Sequence, residues 1–180
     1  MNGTNLVDTS IEMIERSISV NLLAHFYTIR TFLPGMIRAG YGTIVNVSSV
    51  LGQTGCSQLT DYAAAKAGLS AMHTSLVAEL KQYPDIKTVL VTPGQLSTEM
   101  FAGVQTPSSF MAPVVEPVEV AKEIIKAIDG GSSDHLAMPL YVRHVQWLHV
   151  LPMGVQTIAR WLAGIDVGMK GFVGREGKKN

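Results

Sequence analysis

The chain has 180 residues, of which 47% are hydrophobic and only 16% are charged. Its 14 basic and 14 acidic residues leave no net formal charge, so the basic surface of a nucleic-acid-binding protein is missing and we exclude nucleic acid as a partner. A single cysteine, Cys56, rules out an internal disulfide and is typical of a reducing compartment. Because no signal peptide is recognisable, we expect a cytoplasmic protein.

The first predicted element is a long helix. Residues 9–12 read as a capping box, and apolar residues then recur at helical spacing from Ile11 to about Phe32. Pro34 disturbs this pattern and Gly40 ends it. Asn21 lies inside the helix, where asparagine is a poor choice unless its side chain has a specific role.

The next stretch contains the residues with the clearest chemical meaning. Residues 43–47 form an apolar, β-branched run that predicts a strand buried on both faces, and Ser48 and Ser49 end it. Residues 50–59 are rich in glycine and small polar residues, which indicates a loop at the carboxyl end of that strand. A helix is predicted from about Asp61 to Gln82.

Tyr62 and Lys66 lie four residues apart, and therefore on one face of this helix. A cation near a phenol favours the phenolate, and at about 5–6 Å the attraction is worth about 3 kcal/mol, or about two pKa units. We therefore predict that Lys66 lowers the pKa of Tyr62, which makes Tyr62 a usable proton donor or acceptor. Ser49 can hold a substrate oxygen beside the phenol, an arrangement that suits interconversion of an alcohol and a carbonyl.

Further along, residues 87–92 predict a buried strand that Pro93 and Gly94 end. The long connection over residues 95–115 is typical of a lid and carries the apolar residues Phe101, Phe110 and Met111. A helix over residues 117–129 and a short strand over residues 136–140 follow. Residues 1–140 therefore alternate strands and helices as a doubly wound α/β parallel sheet does.

Residues 141–180 are predicted to be a helical C-terminal extension. Apolar residues repeat at helical spacing over residues 155–165, opposite Gln156 and Arg160. Two interpretations stay open: a helical cap that buries its apolar face over a substrate cleft, and peripheral contact with an intracellular membrane such as the endoplasmic reticulum or a lipid droplet. No stretch has the roughly 18 uncharged apolar residues needed to span a bilayer.

The pattern around Tyr62 resembles the short-chain dehydrogenase/reductases over about residues 6–139. In that family a serine ends a strand, a tyrosine follows thirteen residues later and a lysine four residues after that, as Ser49, Tyr62 and Lys66 do here. The resemblance implies a Rossmann-like fold, NAD or NADP as the cofactor, and Asn21 as the fourth catalytic residue. It also implies that Tyr62, Lys66, Pro93, Gly94 and Thr98 hold the nicotinamide end of the cofactor.

The resemblance also implies an N-terminal cofactor-binding half with a glycine-rich turn, which is not seen here; about 80–100 residues are missing by comparison. We therefore expect a truncated form of a longer oxidoreductase that acts on a hydrophobic alcohol or ketone, such as a retinoid, a steroid or another lipid. Family members pair through their two long helices, so we expect a homo-oligomer. The alternatives are a non-catalytic fragment that pairs with a full-length relative, and a sugar-nucleotide epimerase or dehydratase, which shares the Tyr-x-x-x-Lys motif.

The remaining titratable residues favour no further site. The five histidines do not cluster in a pattern typical of a metal site, so we predict no bound metal. His25 and His73 fall on predicted helices and are interpreted as packing or surface residues. Cys56 lies in the loop near Tyr62 and is interpreted as a small packed residue.

Overall fold

The computed structural model describes residues 2–104, 113–166 and 168–172. Three strands, β1 (Gly42–Val47), β2 (Ile86–Pro93) and β3 (Asp134–Met138), form a parallel sheet in the order β1-β2-β3. All three strands end at the same edge, because parallel strands share one direction. The predicted parallel sheet is confirmed, and each strand lies within two residues of its predicted bounds.

Seven α-helices surround the sheet in the described part of the chain. They are α1 (Ile11–Ile18), α2 (Ala24–Ala39), α3 (Leu51–Thr54), α4 (Thr60–Glu79), α5 (Pro117–Asp129), α6 (Val142–Val145) and α7 (Met153–Leu162). A π-helical segment, Ser19–Leu23, joins α1 to α2, and a 3₁₀ turn, Leu80–Gln82, extends α4. Four further 3₁₀ segments in the described residues are Leu6–Asp8, Glu99–Phe101, Gln146–Val150 and Gly168–Gly171.

The helices cover both faces of the sheet, as the doubly wound prediction requires. On one face, β2 packs Val89 and Val91 against Val120 and Ala127 of α5. On the other face, a second core joins residues of β1, β2, α2 and α4, namely Ile44, Leu76, Leu80 and Ile86 with the partly buried Ile29, Leu33, Met36, Ile37 and Tyr83. Apolar burial on both faces therefore positions α4 against the sheet.

The first helix differs from its prediction at its start and at Pro34, but it ends at Gly40 as predicted. Its N-cap is Ser10, whose hydroxyl accepts a hydrogen bond from the backbone of Met13, so the predicted capping box is one residue out of place. The helix also continues through Pro34 to Ala39 and ends at Gly40, which has a φ of 77°. Packing of α2 against the core outweighs the backbone hydrogen bond that Pro34 removes.

Strand β1 is less buried than predicted. Ile44 and Asn46 are buried, whereas Val47 is 38% exposed. Among the described residues β1 pairs with β2 alone, which leaves its other edge open. Between α2 and this edge lies an open groove of about 410 Å³, lined by Ala24, His25, Thr28, Ile29, Phe32, Leu33, Met36 and residues 43–46. The predicted burial of β1 on both faces is therefore only partial, and its outer edge has no strand partner among the described residues.

The C-terminal extension is helical as far as Leu162, and Val142 at its start is fully buried. Within the three described ranges, none of the helices combines the length and hydropathy needed to cross a bilayer. Phe110 and Met111, together with the rest of residues 105–112 of the predicted lid, lie outside the described residues.

Candidate active site

The two serines at the end of β1 point to different partners. The Ser48 hydroxyl donates to the backbone oxygen of Lys66 at 2.9 Å and lies 2.8 Å from the hydroxyl of Ser70, so it ties β1 to α4. The Ser49 hydroxyl is near enough to the Tyr62 side chain to act on its pKa in the lowering direction, and it accepts a hydrogen bond from the backbone of Leu51 at 3.2 Å. Of the two, Ser49 is the one that the fold places beside the phenol.

A close approach of two helices holds this arrangement in place. The backbone of α3 lies so near α4 that a Cβ on Gly52 would be 2.8 Å from the carbonyl carbon of Lys66. Only glycine fits at that distance. The loop after β1 is thereby fixed against the helix turn that carries Tyr62 and Lys66.

Tyr62 is 7% exposed, and burial raises the pKa of its phenol, an effect that the Ser49 hydroxyl only partly offsets. This corrects our prediction that Lys66 lowers the pKa of Tyr62. The ammonium of Lys66 lies 5.7 Å from the centre of the Tyr62 ring. Desolvation of the phenolate therefore dominates, and Tyr62 is a protonated acid at neutral pH.

Lys66 has turned towards the strand. Its ammonium donates a 2.8 Å hydrogen bond to the backbone oxygen of Val47, at the end of β1. Lys66 is 9% exposed, and burial lowers the pKa of its ammonium. Since a neutral carbonyl balances a positive charge only weakly, the ammonium keeps donor hydrogens for a further oxygen-rich group.

Asn21 lies in the π-helical segment between α1 and α2. Its side-chain amide donates to the backbone oxygen of Ser17, one turn earlier, at 2.9 Å. The segment itself packs against α4, where Leu22 faces Gly68. The structure therefore brings Asn21 to the helix that carries the site but gives its side chain a local partner. The change to π geometry was not predicted, and such bulges are frequent at functional sites.

Pro93 ends β2, and Gly94 and Thr98 follow it at the same edge of the sheet. The backbone of Val50, next to Ser49, donates to the Pro93 oxygen at 2.9 Å, so the loops after β1 and β2 are joined. A Cβ on Gly94 would lie 3.1 Å from Pro139 and 3.2 Å from the Tyr141 hydroxyl, which indicates why a glycine stands there. Thr98 is half-buried and immediately precedes the 3₁₀ turn Glu99–Phe101.

The C-terminal extension covers the outer side of Tyr62. Leu59, Tyr62 and Met169 form a buried cluster with the partly buried Leu51, Cys56, Val104 and Phe172 around it. The Cys56 thiol donates to the backbone oxygen of Ile165 at 3.0 Å. Burial raises the pKa of this thiol to about 11, so Cys56 is a packed, unreactive residue.

A buried polar network beneath the site was missed by the sequence analysis. Asn46, on β1, is 1% exposed; its amide donates to Nδ1 of His73 at 3.1 Å, and its side-chain oxygen lies 3.3 Å from Nδ1 of His25. His135 is hydrogen-bonded to Thr92 at 2.8 Å nearby. The only signal in the sequence is a polar Asn46 inside an otherwise apolar strand.

Comparison with known proteins agrees with this geometry. The short chain dehydrogenase family matches residues 1–108. Short-chain dehydrogenase/reductase family 16C member 6 of Bos taurus is 33% identical over 98% of this chain and 56% of its own length. Epidermal retinol dehydrogenase 2 of Homo sapiens is 32% identical over 99% of this chain and 58% of its own.

A solved structure extends the likeness to three dimensions. It is a 3-oxoacyl-[acyl-carrier protein] reductase with bound NAD from Brucella melitensis, matched with a TM-score of 0.62 and 30% identity over 77% of this chain and 55% of that one. The parallel sheet with flanking helices is thus Rossmann-like, as predicted. This chain spans little more than half the length of these relatives. It belongs to the short chain dehydrogenase family.

Proposed function

We propose that this chain supplies the proton-transfer part of an NAD(P)-dependent oxidoreductase that acts on a hydrophobic alcohol or ketone. The observation that carries the proposal is the placement of Ser49, Tyr62 and Lys66 together at the carboxyl end of β1, with the Lys66 ammonium 5.7 Å from the centre of the Tyr62 ring and bonded to the backbone oxygen of Val47. Ligands of open α/β sheets bind at this edge. The names of the relatives support a dehydrogenase or reductase rather than the sugar-nucleotide epimerase alternative.

Tyr62 exchanges the proton in this proposal. Burial raises the pKa of its phenol, so at neutral pH it can donate a proton to the oxygen of a ketone as that oxygen becomes an alcohol. In the opposite direction, a phenolate must form first, and rising pH favours it. Ser49, beside the phenol, orients the substrate oxygen towards Tyr62 and accepts or donates a hydrogen bond as the oxygen changes character.

The residues present fit the nicotinamide end of a dinucleotide cofactor. The donor hydrogens of the Lys66 ammonium suit the hydroxyls of a ribose, and Pro93, Gly94 and Thr98 border the same edge. When bound, NAD or NADP supplies or accepts the hydride. The described ranges contain no glycine-rich strand-to-helix turn, which is the element that binds the pyrophosphate of a dinucleotide in a Rossmann fold. Residues other than the described ones would have to hold that part of the cofactor.

The surroundings of Tyr62 support a hydrophobic substrate. Tyr62 forms a buried cluster with Leu59 and Met169, and Leu51, Val104 and Phe172 pack against that cluster, so the phenol has apolar surroundings. Retinol dehydrogenases are among the relatives, so we propose a retinoid or a comparably apolar alcohol as the substrate class.

The test is retinol oxidation, and retinal reduction, with both NAD(H) and NADP(H) by the longest protein that its gene encodes. Tyr62→Phe is expected to lower kcat by at least about a thousandfold while largely keeping cofactor affinity, because it removes the hydroxyl that exchanges the proton but leaves the ring, Lys66 and the loop after β2 in place. Tyr83→Phe, the same change in a partly buried tyrosine of the α4 core, is the control. Turnover that survives in Tyr62→Phe would remove Tyr62 from this role.

A further inference from the structure

Helix α7 has its two faces the opposite way round from an ordinary surface helix. Its polar side faces the protein: Arg160 donates to the backbone oxygen of Thr54 at 2.5 Å and pairs with Asp166, and Gln156 donates to the backbone oxygen of Leu151 at 2.7 Å. Surface helices of globular proteins normally bury their apolar stripe instead. The polar side of α7 is therefore its attachment to the fold.

The outward side of α7 is apolar. Val155, Ile158, Trp161 and Leu162 are 46%, 60%, 78% and 61% exposed. At 3.6 residues per turn they lie within about 120° of one another around the helix axis, opposite Gln156 and Arg160. We call these four residues the α7 apolar face. Trp147 and Val150, on the preceding 3₁₀ segment, are 61% and 73% exposed and add to the apolar surface of the extension.

The charge of the extension identifies the partner that fits this face. Residues 135–165 contain no acidic residue, and residues 135–180 contain six basic and two acidic residues, although the whole chain has no net charge. Arg143 is exposed on the extension's first helix, α6. A positive segment that displays tryptophan and aliphatic side chains matches a bilayer surface, which combines negative headgroups with an apolar layer about 5–10 Å below them.

We propose that the α7 apolar face docks onto an anionic lipid surface, with α7 lying in the plane of the interface and its polar side holding the rest of the protein. The two interpretations of the extension are thereby combined: the inner side of α7 binds the loop beside the site, and its outer side binds lipid. The surface lies on the same extension that contributes Met169 to the cluster around Tyr62. This proposal does not depend on the reaction that Tyr62 carries out.

The chain's own tryptophans provide the readout, because its two tryptophans, Trp147 and Trp161, both lie on the extension. In a Trp147→Phe background, Trp161 fluorescence of the 180-residue chain is expected to shift to the blue on addition of vesicles of phosphatidylcholine with 30% phosphatidylserine. Phosphatidylcholine with brominated acyl chains in the same vesicles is expected to quench it, because quenching requires contact with the acyl layer. Neutral vesicles, or high salt, are expected to weaken binding.

The variants locate the binding surface. Ile158→Gln with Leu162→Gln is expected to lower the vesicle partition coefficient by at least about tenfold. Val118→Gln with Ile125→Gln, at similarly exposed positions on α5, is the matched control and is expected to leave it unchanged. Equal loss in both pairs, or no quenching by brominated lipid, would overturn the proposal. Self-association without vesicles would also overturn it if Ile158→Gln with Leu162→Gln abolished that self-association. The α7 apolar face would then bind a second copy of the chain and not lipid.

Discussion

Helices α4 and α7 both break the rule that apolar side chains turn inward and polar ones outward, but in opposite senses. Helix α4 buries Asp61, Tyr62, Lys66 and His73, whereas α7 exposes Val155, Ile158, Trp161 and Leu162. Burying an ammonium or a phenol costs free energy, and an exposed tryptophan does not contribute the stabilisation that its burial would give. Under the two proposals above, the difference has a functional reason: the buried polar groups of α4 suit proton transfer, and the exposed apolar groups of α7 suit contact with lipid.

The largest effect is expected from replacing the buried ammonium of α4. Lys66→Met keeps the apolar stem and removes the charge, so it is expected to lower retinol turnover by at least about a thousandfold. The free energy of unfolding should be unchanged or higher, because the hydrogen-bond partner that is lost is a carbonyl at the half-exposed end of β1, which water can reach. Kinetics and urea unfolding of the two proteins check both expectations.

The exposed Lys81→Met on the following turn is the control and should change neither quantity. If Lys66→Met instead lowered the free energy of unfolding by more than about 1 kcal/mol, Lys66 would be part of the scaffold and the contrast between the two helices would weaken.

The next effect concerns the polar network that α4 shares with the sheet. Asn46→Ala removes the bridge between His25 and His73 and leaves the Nδ1 of a buried histidine without its donor. The free energy of unfolding is expected to fall by about 2 kcal/mol, measured by urea denaturation. Asn5→Ala, the same change at an exposed position, should alter it by less than about 0.5 kcal/mol. Similar values for the two variants would mean that the network contributes nothing to stability.

A smaller effect is expected where α7 attaches to the fold. Arg160→Met removes the hydrogen bond to Thr54 and the ion pair with Asp166, which is partly exposed and screened by solvent. The extension should lose about 1 kcal/mol of local stability, seen as faster amide exchange over residues 142–166 with β2 unaffected. Arg38→Met, on the exposed end of α2, is the control. Unchanged exchange would show that α7 is held by other contacts.

The smallest effect is a dependence of stability on pH. Burial lowers the pKa of His25, His73 and His135 below the ordinary value of 6.5, so below that pH the unfolded chain binds more protons than the folded one. The Tm is therefore expected to fall as the pH is lowered from about 7.5 to about 5.5. His73→Gln should flatten this profile and the exposed His144→Gln should not; equal profiles for all three proteins would contradict the prediction.

Several features of this fold could be predicted from the sequence because they depend on local pattern. The bounds of β1, α4 and α5 follow from hydrophobic periodicity and turn residues, and the fixed spacing of Ser49 and Tyr62 brings those two side chains together. The π segment around Asn21 could not be predicted, because an i→i+5 bulge has no side-chain signature. The partner of Lys66 could not be predicted either, since a carbonyl at a strand edge is a tertiary contact.

The orientation of α7 could not be predicted from the sequence either. The periodicity of Val155, Ile158 and Leu162 states which residues share a face but not whether that face turns inward. That choice depends on what the other face can bind, and the backbone oxygens at the end of α3 suit Arg160. The pKa of Tyr62 was mispredicted for a related reason: spacing gives the charge that lies nearby, but burial decides how much the phenolate costs.

The open edge of β1 and the groove beside it affect the lifetime of this polypeptide in a cell. A row of unpaired amides next to an apolar trough is the kind of surface that chaperones and proteases recognise. The cellular abundance of the chain would then depend on how quickly another polypeptide segment binds in the groove between α2 and β1. Folding of this part of the chain would be complete only after that segment has bound.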